Sequence, residues 1–510
     1  MSSMIAVTTT ELDERQPLLH NPRSLSNEEE EISNTPSTSS SNASPPPTQR
    51  LLSLDVFRGL TVALMILVDD AGGAFPCINH SPWFGVTLAD FVMPFFLFVV
   101  GVSISLALKK VSSKPLATKK VILRTIKLFL LGLVLQGGYF HGRHDLTYGI
   151  DVGKIRLMGV LQEFHRMIVK PRISIGYLFA AMSEIWLVYS ITVDSPMTFV
   201  KKYYIQWMIA FLFCTFYICL LYGLYVPDWE FEVPSTNLFG YEFGTKIVNC
   251  GVKGSLEPPC NAVGLIDRFF LGEHHLYQHP VYRRTKGFNS SPNHLIERVL
   301  TVTVSQQCSV NSPDYGPLPP SSPGWCLAPF DPEGILSSLM AAITCFLGLQ
   351  FGHILVHFKG HMQRLCLWSV YSFIILFTGY VFELLGIPFC KPLYTLSYMC
   401  ITAGASGLAL TIIFYIVDVK HFRKPTMILQ WMGMNALIIY ALAACDLFPA
   451  AIQGFYLGSP ENNMVDGTES LFQVMLHSKK WGTLVFVIVE ILFWGLVAGF
   501  LHSKGIYARL

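Results

Sequence analysis

Residues 51–108 read LLSLDVFRGLTVALMILVDDAGGAFPCINHSPWFGVTLADFVMPFFLFVVGVSISLAL. Two apolar runs frame a short loop that carries one histidine, His80. Asp55 and Arg58 stand where the first run begins, Asp69 and Asp70 where it ends, and Asp90 in the first turns of the second. Ionisable groups beside hydrocarbon are costly and tend to be kept for a function. An imidazole with carboxylates in reach is equipped for proton or acyl transfer. The stretch therefore predicts two membrane helices with a reactive loop between them.

Working outward, the whole chain has the composition this predicts. Of its 510 residues 52% are hydrophobic and 14% charged, where soluble domains carry roughly 25% charged residues. Mean hydropathy is +0.45. The fold class read from this is an all-α polytopic membrane helix bundle. About ten spans are predicted, at roughly 55–72, 87–108, 119–137, 172–191, 204–226, 333–357, 365–386, 393–417, 427–446 and 481–501. Lysine and arginine in the short loops set the orientation. Lys109, Lys110, Lys114, Lys119, Lys120, Lys201, Lys202, Lys359, Arg364, Lys420, Arg423, Lys424, Lys504 and Arg509 share one side if both termini are cytosolic. The His80 loop, the 138–156 loop, a large loop at 227–332, a short turn near Pro388 and the 447–479 loop then face the lumen.

This divides the chain into a polar tail (1–50), five spans with the His80 loop (51–226), a large lumenal loop (227–332) and five further spans (333–510). The tail is rich in Ser, Pro, Thr and Glu and cannot bury enough apolar surface to order itself. It lacks the basic-then-apolar pattern of a signal peptide. Its Glu14-Arg15-Gln16-Pro17-Leu18-Leu19 resembles an acidic dileucine signal, which points to a lysosomal or vacuolar membrane. Cys250, Cys260, Cys308 and Cys326 in the large loop predict two disulfides in one of three pairings. Asn289-Ser290-Ser291 is a glycosylation sequon. A net charge of +2 without a large basic block gives no footprint for nucleic acid. No nucleotide motif, HExxH or zinc-ligand spacing is present, so no metal is expected.

Several pieces, in this order along the chain, resemble the heparan-α-glucosaminide N-acetyltransferase family. They are SLDVFRG (53–59) with the His80 loop, WFGVTLADFVMPFFLFVVGVSISL (83–106), IRLMGVLQ (155–162), GLIDRFFLGEHHLYQHP (264–280), DPEGILSSLMAAITCFLG (331–348), LYTLSYM (393–399), VDVK (417–420) and GMNALIIY (433–440). The resemblance implies a transmembrane enzyme that takes acetyl from cytosolic acetyl-CoA and delivers it to a lumenal amino sugar or glycan. It also implies a homodimer and places the family's active-site histidine on His80. Three departures stand out. The family's large lumenal domain ahead of the first shared span is replaced by the polar tail. Glu163–Pro171 (EFHRMIVKP) interrupts the pattern between Gln162 and Arg172, and about 287–307 is extra sequence within the large loop.

The candidate catalytic residues are His80, Asp69, Asp70 and Asp90. A neutral imidazole takes a proton from an attacking amine, or itself attacks the thioester and carries the acetyl group. Asp69 or Asp70 either orients that ring, as the third member of a triad does, or marks the membrane interface. The family's animal enzyme has an amide where Asp69 stands. Asp90 either caps the second helix or serves catalysis. Arg58 pairs with Asp55 at i, i+3 or meets the phosphates of acetyl-CoA. Asn435 is a second candidate for the donor, against ordinary helix–helix hydrogen bonding. His275 and His279, with Tyr277, form an acceptor-binding wall or shape the loop. Glu184, Glu383 and Glu490 read as isolated. A secondary transporter of a sugar or organic anion is the alternative. Inverted repeats are common in such proteins, and none is visible.

Overall fold

A computed structural model of the chain describes residues 51–75, 77–81, 83–109, 113–134, 138–141, 146–149, 171–188, 196–237, 240–272, 326, 328, 334–444, 452–459 and 462–508. All belong to the compact unit Leu51–Leu510. The polar tail, its sorting sequence and the sequon lie outside the described residues.

Helices α1 (Leu52–Ala71), α2 (Leu88–Ala107) and α3 (Lys114–Val134) open the bundle. A hairpin of β1 (Gly138–His141) and β2 (Leu146–Gly149) follows, then α4 (Pro171–Leu187) and α5 (Pro196–Gly223). In the large loop β3 (Tyr225–Val226) pairs with β6 (Val252–Lys253), and β4 (Trp229–Asn237) pairs antiparallel with β5 (Gly240–Val248). A short α6 (Ala262–Leu271) precedes α7 (Ile335–His357), α8 (His361–Leu384) and α9 (Leu396–Phe414), which runs on as a π-turn at Tyr415–Val419. The chain continues through α10 (Met427–Met434), α11 (Ala436–Ile439) and a second π segment, Tyr440–Ala444, to α12 (Met464–Met475) and α13 (Lys479–Ser503). The spans are helical as expected, but the connecting loops add strands that an all-α reading did not anticipate.

Among the described residues six stretches are long and apolar enough to cross a membrane: α2, Thr198–Gly223 of α5, α7, α8, Leu396–Val419 and α13. The other four predicted spans coincide with helical segments of a different character. α1 carries Asp55, Arg58, Asp69 and Asp70, and α3 carries Lys114, Lys119, Lys120, Arg124 and Lys127. α4 has only 17 residues, and the stretch from α10 breaks at Asn435. Pro171, at the end of the interrupting segment, heads α4. There its missing N–H costs nothing, because the first N–H groups of a helix have no partner anyway. The rest of Glu163–Pro171 lies outside the described residues.

Cys250 and Cys260 form one of the two expected disulfides. Cys326 is also disulfide-bonded, and Cys308 lies outside the described residues.

Two inner helices set the frame. The apolar stretch of α7 is 89% buried and that of α2 72%, against 17% for α8. Their backbones meet directly through glycine. A Cβ added to Gly101 would lie 2.1 Å from the carbonyl oxygen of Cys345, and one on Gly348 would lie 2.1 Å from that of Phe98. Such small-residue contacts supply van der Waals packing where lipid offers no hydrophobic drive between helices. α1 and α10 meet in the same way at Gly59 and Gly433.

The outer helices α4 and α5 are fastened to α7 by a buried polar ring. Glu184 pairs with His353 Nε2 at 2.9 Å and accepts from Gln206 Nε2 at 2.9 Å. Gln350 donates to Gln206 at 3.1 Å and faces His353 Nδ1 at 3.4 Å. Tyr203 stacks on the His353 ring at 3.8 Å, and its hydroxyl meets His357 at 2.8 Å. Glu184 is thus not isolated. Nor is Glu490, which hydrogen-bonds Asp70 and accepts from Trp494.

Because the neighbour at Gly348 is backbone, Gly348→Leu should cost more than the ~1–3 kcal/mol of an ordinary overpacked core site. Thermal unfolding in detergent, compared with the outward-facing Phe377→Leu, checks this. Equal melting temperatures would remove the close-contact argument.

Candidate active site

The site is built at the N-terminus of α2. Thr87 precedes the helix, and Asp90 in its first turn reaches back to the open N–H groups there. Asp90 Oδ2 accepts from the Thr87 N–H at 3.0 Å, the Thr87 hydroxyl at 2.9 Å and the Ser81 N–H at 3.3 Å. The residue is fully buried. Its other oxygen, Oδ1, lies 2.9 Å from His80 Nδ1. The sequence left capping and catalysis as alternatives for Asp90. The geometry gives the one carboxylate two contacts: one oxygen caps the helix and the other meets the imidazole.

A third group completes the cluster. Lys391 Nζ lies 2.7 Å from His80 Nδ1, 3.5 Å from its Nε2 and 3.5 Å from Asp90 Oδ1. Lys391 is 4% exposed, so its ammonium is set beside the carboxylate instead of in bulk solvent. Sequence reading missed it. The available signal was a lysine in the short Pro388 turn, on the side where the loop-charge pattern expects few.

Local structure explains why the turn delivers that lysine. Tyr394 adopts a positive φ of 56°, uncommon for a residue with a side chain, and hydrogen bonds pin the backbone around it. Thr395 and Ser397 donate to the Pro388 carbonyl at 2.8 and 3.0 Å, and Tyr217 donates to that of Leu393 at 3.0 Å. The turn is tied to the His80 loop by Gly85 N–H to Phe389 O at 2.8 Å and by a bridge between Phe84 and Cys390. Trp83, 1% exposed, donates from that loop to the Leu256 carbonyl at 2.9 Å. The disulfide-bearing loop, the His80 loop and the Pro388 turn therefore gather at one end of the bundle.

The core beneath the site holds it in place. Pro94 has no N–H to offer the Asp90 carbonyl four residues back. The hydroxyl of Tyr398, from α9, donates to that carbonyl at 2.5 Å instead.

The other candidates have the following contacts. Asp70, at the end of α1, joins Glu490 of α13, and Asp69 sits half-buried in the same turn. Arg58 donates to Asp55 at 3.1 Å, the i, i+3 pair expected, and to Ser103 at 2.6 Å. Ser103 is thirteen residues along α2 from Asp90, about 20 Å at the rise of a helix. Asn435 donates to the Ala498 carbonyl at 3.4 Å, a helix–helix contact, while its buried Oδ1 meets no hydrogen-bond donor among the described residues. His275, Tyr277 and His279 lie outside the described residues. Among the described residues no cluster of three or more His, Cys, Asp or Glu is arranged to hold a metal ion.

At the same end, Asp267 of α6 caps α7, accepting from the Ile335 N–H at 2.8 Å. Arg172 of α4 donates to Ser337 one turn on, at 2.7 Å. Burial pushes the Asp267 carboxyl up to about 6, against the opposing pull of the Ile335 N–H and of Arg172. Folded protein thus holds this proton more tightly than the unfolded chain, whose value is the ordinary 3.8. The group's contribution to stability is full below the unfolded value and is lost as pH rises through about 6. Melting temperatures measured across this window should show that falling limb in the wild type and a flatter profile in Asp267→Asn. An identical slope in both would assign the limb to other groups.

Comparison with known proteins points to the same segment. Residues 50–200 match the family model described as heparan-alpha-glucosaminide N-acetyltransferase, catalytic. The match contains His80 and Asp90, while Lys391 lies beyond it. The chain is 27% identical over 413 residues to heparan-alpha-glucosaminide N-acetyltransferase of Mus musculus, covering 77% of this chain and 53% of that protein. It is 27% identical over 423 residues to the Homo sapiens protein of the same name, covering 79% of this chain and 54% of that protein. The chain spans about half the length of these curated relatives. The resemblance carried by the motifs is therefore found across most of the chain.

Proposed function

We propose that this chain is a membrane-embedded acetyltransferase that moves acetyl from cytosolic acetyl-CoA to a lumenal amino sugar or glycan. The observation that carries the reading is the His80–Asp90–Lys391 cluster, set within a gathering of loops at one bundle end. Two of its three members lie in the segment that matches a catalytic family model.

The chemistry follows from the ring. When Asp90 Oδ1 accepts from Nδ1–H, the lone pair of Nε2 is available. That nitrogen either removes a proton from the attacking ammonium or amine, or attacks the thioester carbonyl. In the second case an N-acetyl bond forms on the ring as the C–S bond breaks, and the thiolate leaves and takes a proton. The amine then displaces the ring. Over the cycle, acetyl-CoA and a protonated amine give an amide, free thiol and one proton. The Lys391 ammonium beside the ring offers positive charge where the carbonyl oxygen gains negative charge, the usual electrostatic role of such groups.

In this reading all ten predicted spans cross the membrane and both termini are cytosolic, in a lysosomal or vacuolar membrane. The basic loops support that orientation. So does the meeting of the His80 loop, the large loop and the Pro388 turn, three segments independently assigned to the lumenal side. Arg58 of α1, part-exposed and bonded to Ser103 toward the opposite end of α2, meets the donor phosphates in this reading. The relatives' names specify heparan α-glucosaminide. With about half their length shared, the acceptor proposed here is the broader class of terminal hexosamines.

Sealed vesicles with labelled acetyl-CoA outside and glucosamine inside test this. Wild-type vesicles should accumulate acetylated sugar, and His80→Ala should lower the rate by roughly 10²–10⁴-fold, the range for losing an acid–base group. Sugar flux that needs no acetyl-CoA and survives His80→Ala would instead establish a transporter.

A further inference from the structure

Two groups compete for one atom in the cluster. His80 Nδ1 lies 2.9 Å from Asp90 Oδ1 and 2.7 Å from Lys391 Nζ. A carboxylate only accepts, and an ammonium only donates. Nδ1 therefore serves Asp90 when it carries a hydrogen and serves Lys391 when it presents a lone pair. It cannot do both at once. In a neutral imidazole the far nitrogen takes the opposite role. With Lys391 on Nδ1, Nε2 is an N–H and cannot attack or accept a proton. With Asp90 on Nδ1–H, Nε2 is a base.

The surroundings leave this choice to Oδ1. Asp90 Oδ2 already accepts from Thr87 N–H, Thr87 hydroxyl and Ser81 N–H. Oδ1 is the oxygen shared between ring and ammonium, 3.5 Å from Lys391 Nζ. A shift of under an ångström brings that pair to hydrogen-bond length. The Pro388 turn and the bonds linking it to Phe84 and Gly85 keep the lysine within that range.

We propose that Lys391 is the positioning residue that selects the tautomer of His80: on Nδ1 it holds the ring silent, and on Asp90 it releases Nε2 for reaction. This rests on the acetyl-transfer reading above and adds its regulation. An ammonium has three N–H donors, so a thioester carbonyl entering the site draws Lys391 away from the ring while a second N–H turns to Asp90. The exchange breaks no bond to carbon. Nε2 gives a proton to water and Nδ1 takes one from water, through the 19% of the ring surface that solvent reaches, so charge and proton count are unchanged. The ring is thereby reactive only when an acyl group is present to receive it.

Methyl iodide, which alkylates the unprotonated imidazole nitrogen and brings no carbonyl into the site, reads this without turnover. The full-length protein in detergent is labelled, and His80 modification is followed by peptide mass spectrometry in wild type, Lys391→Met and Lys391→Arg. Lys391→Met should label several-fold faster than wild type while losing most acetyl transfer, and Lys391→Arg, which keeps the cation, should label near the wild-type rate. Labelling of Lys391→Met at or below the wild-type rate overturns the proposal. A second measurement covers misfolding of Lys391→Met. Nitrogen-15 histidine spectra of wild type should show Nε2 protonated at rest, and an Nδ1-protonated resting ring equally overturns it. Both readouts stand whether or not acetyl transfer is found, so failure of the functional reading is separable from failure of this one.

Discussion

The buried carboxylate of Asp90 is the point on which the site depends. A charge without solvent contact persists only where donors surround it. Here the donors are the start of its own helix, a loop backbone, an imidazole and a lysine. Each would be displaced if the carboxylate moved. The helix N-terminus favours the negative charge, and that charge in turn orients the ring and accounts for a lysine buried beside it. Folding of α2 and assembly of the reactive group are therefore one event.

The backbone under this carboxylate is equally committed. Pro94 removes the hydrogen bond that the Asp90 carbonyl would accept within α2, and Tyr398 supplies a replacement from another helix. A helix that bonded only to itself would fold without reference to α9. This one requires α9 to be docked before its buried carbonyl is satisfied. The proline thus couples the position of the Asp90 carboxylate to tertiary packing.

Hydropathy and charge made the helices readable, because a lipid-facing span must be apolar along its length. Six stretches meet that standard in isolation, and the rest are helices whose charges or breaks blur the pattern. His80 and Asp90 were legible because they lie ten residues apart in one local segment. Lys391 was not, since nothing local connects it to a histidine 311 residues away. Asp69 and Asp70 stood level with Asp90 in the sequence, all three lying ten or eleven residues from His80. Yet Asp70, at the end of α1, turns to Glu490 of α13. Glu184 and His353 pair across 169 residues, beyond the reach of any periodicity. The paired strands β4 and β5 of the large loop are neighbours in the chain and escaped a reading guided by span hydropathy alone.

The glycine contact between α2 and α7 has a mechanical meaning. Where side chains interdigitate, helices slide by changing rotamers. Where carbonyl oxygens press on Cα atoms there is no such slack, and translation along the axis meets hard repulsion at once. The two helices at the centre behave as one rigid post, with Asp90 near its upper end. Helix α4 is fixed to the same post along its length, by Arg172 on Ser337, by Gly176 against Cys345 and by Glu184 on His353, so the rigid part extends beyond the two central helices.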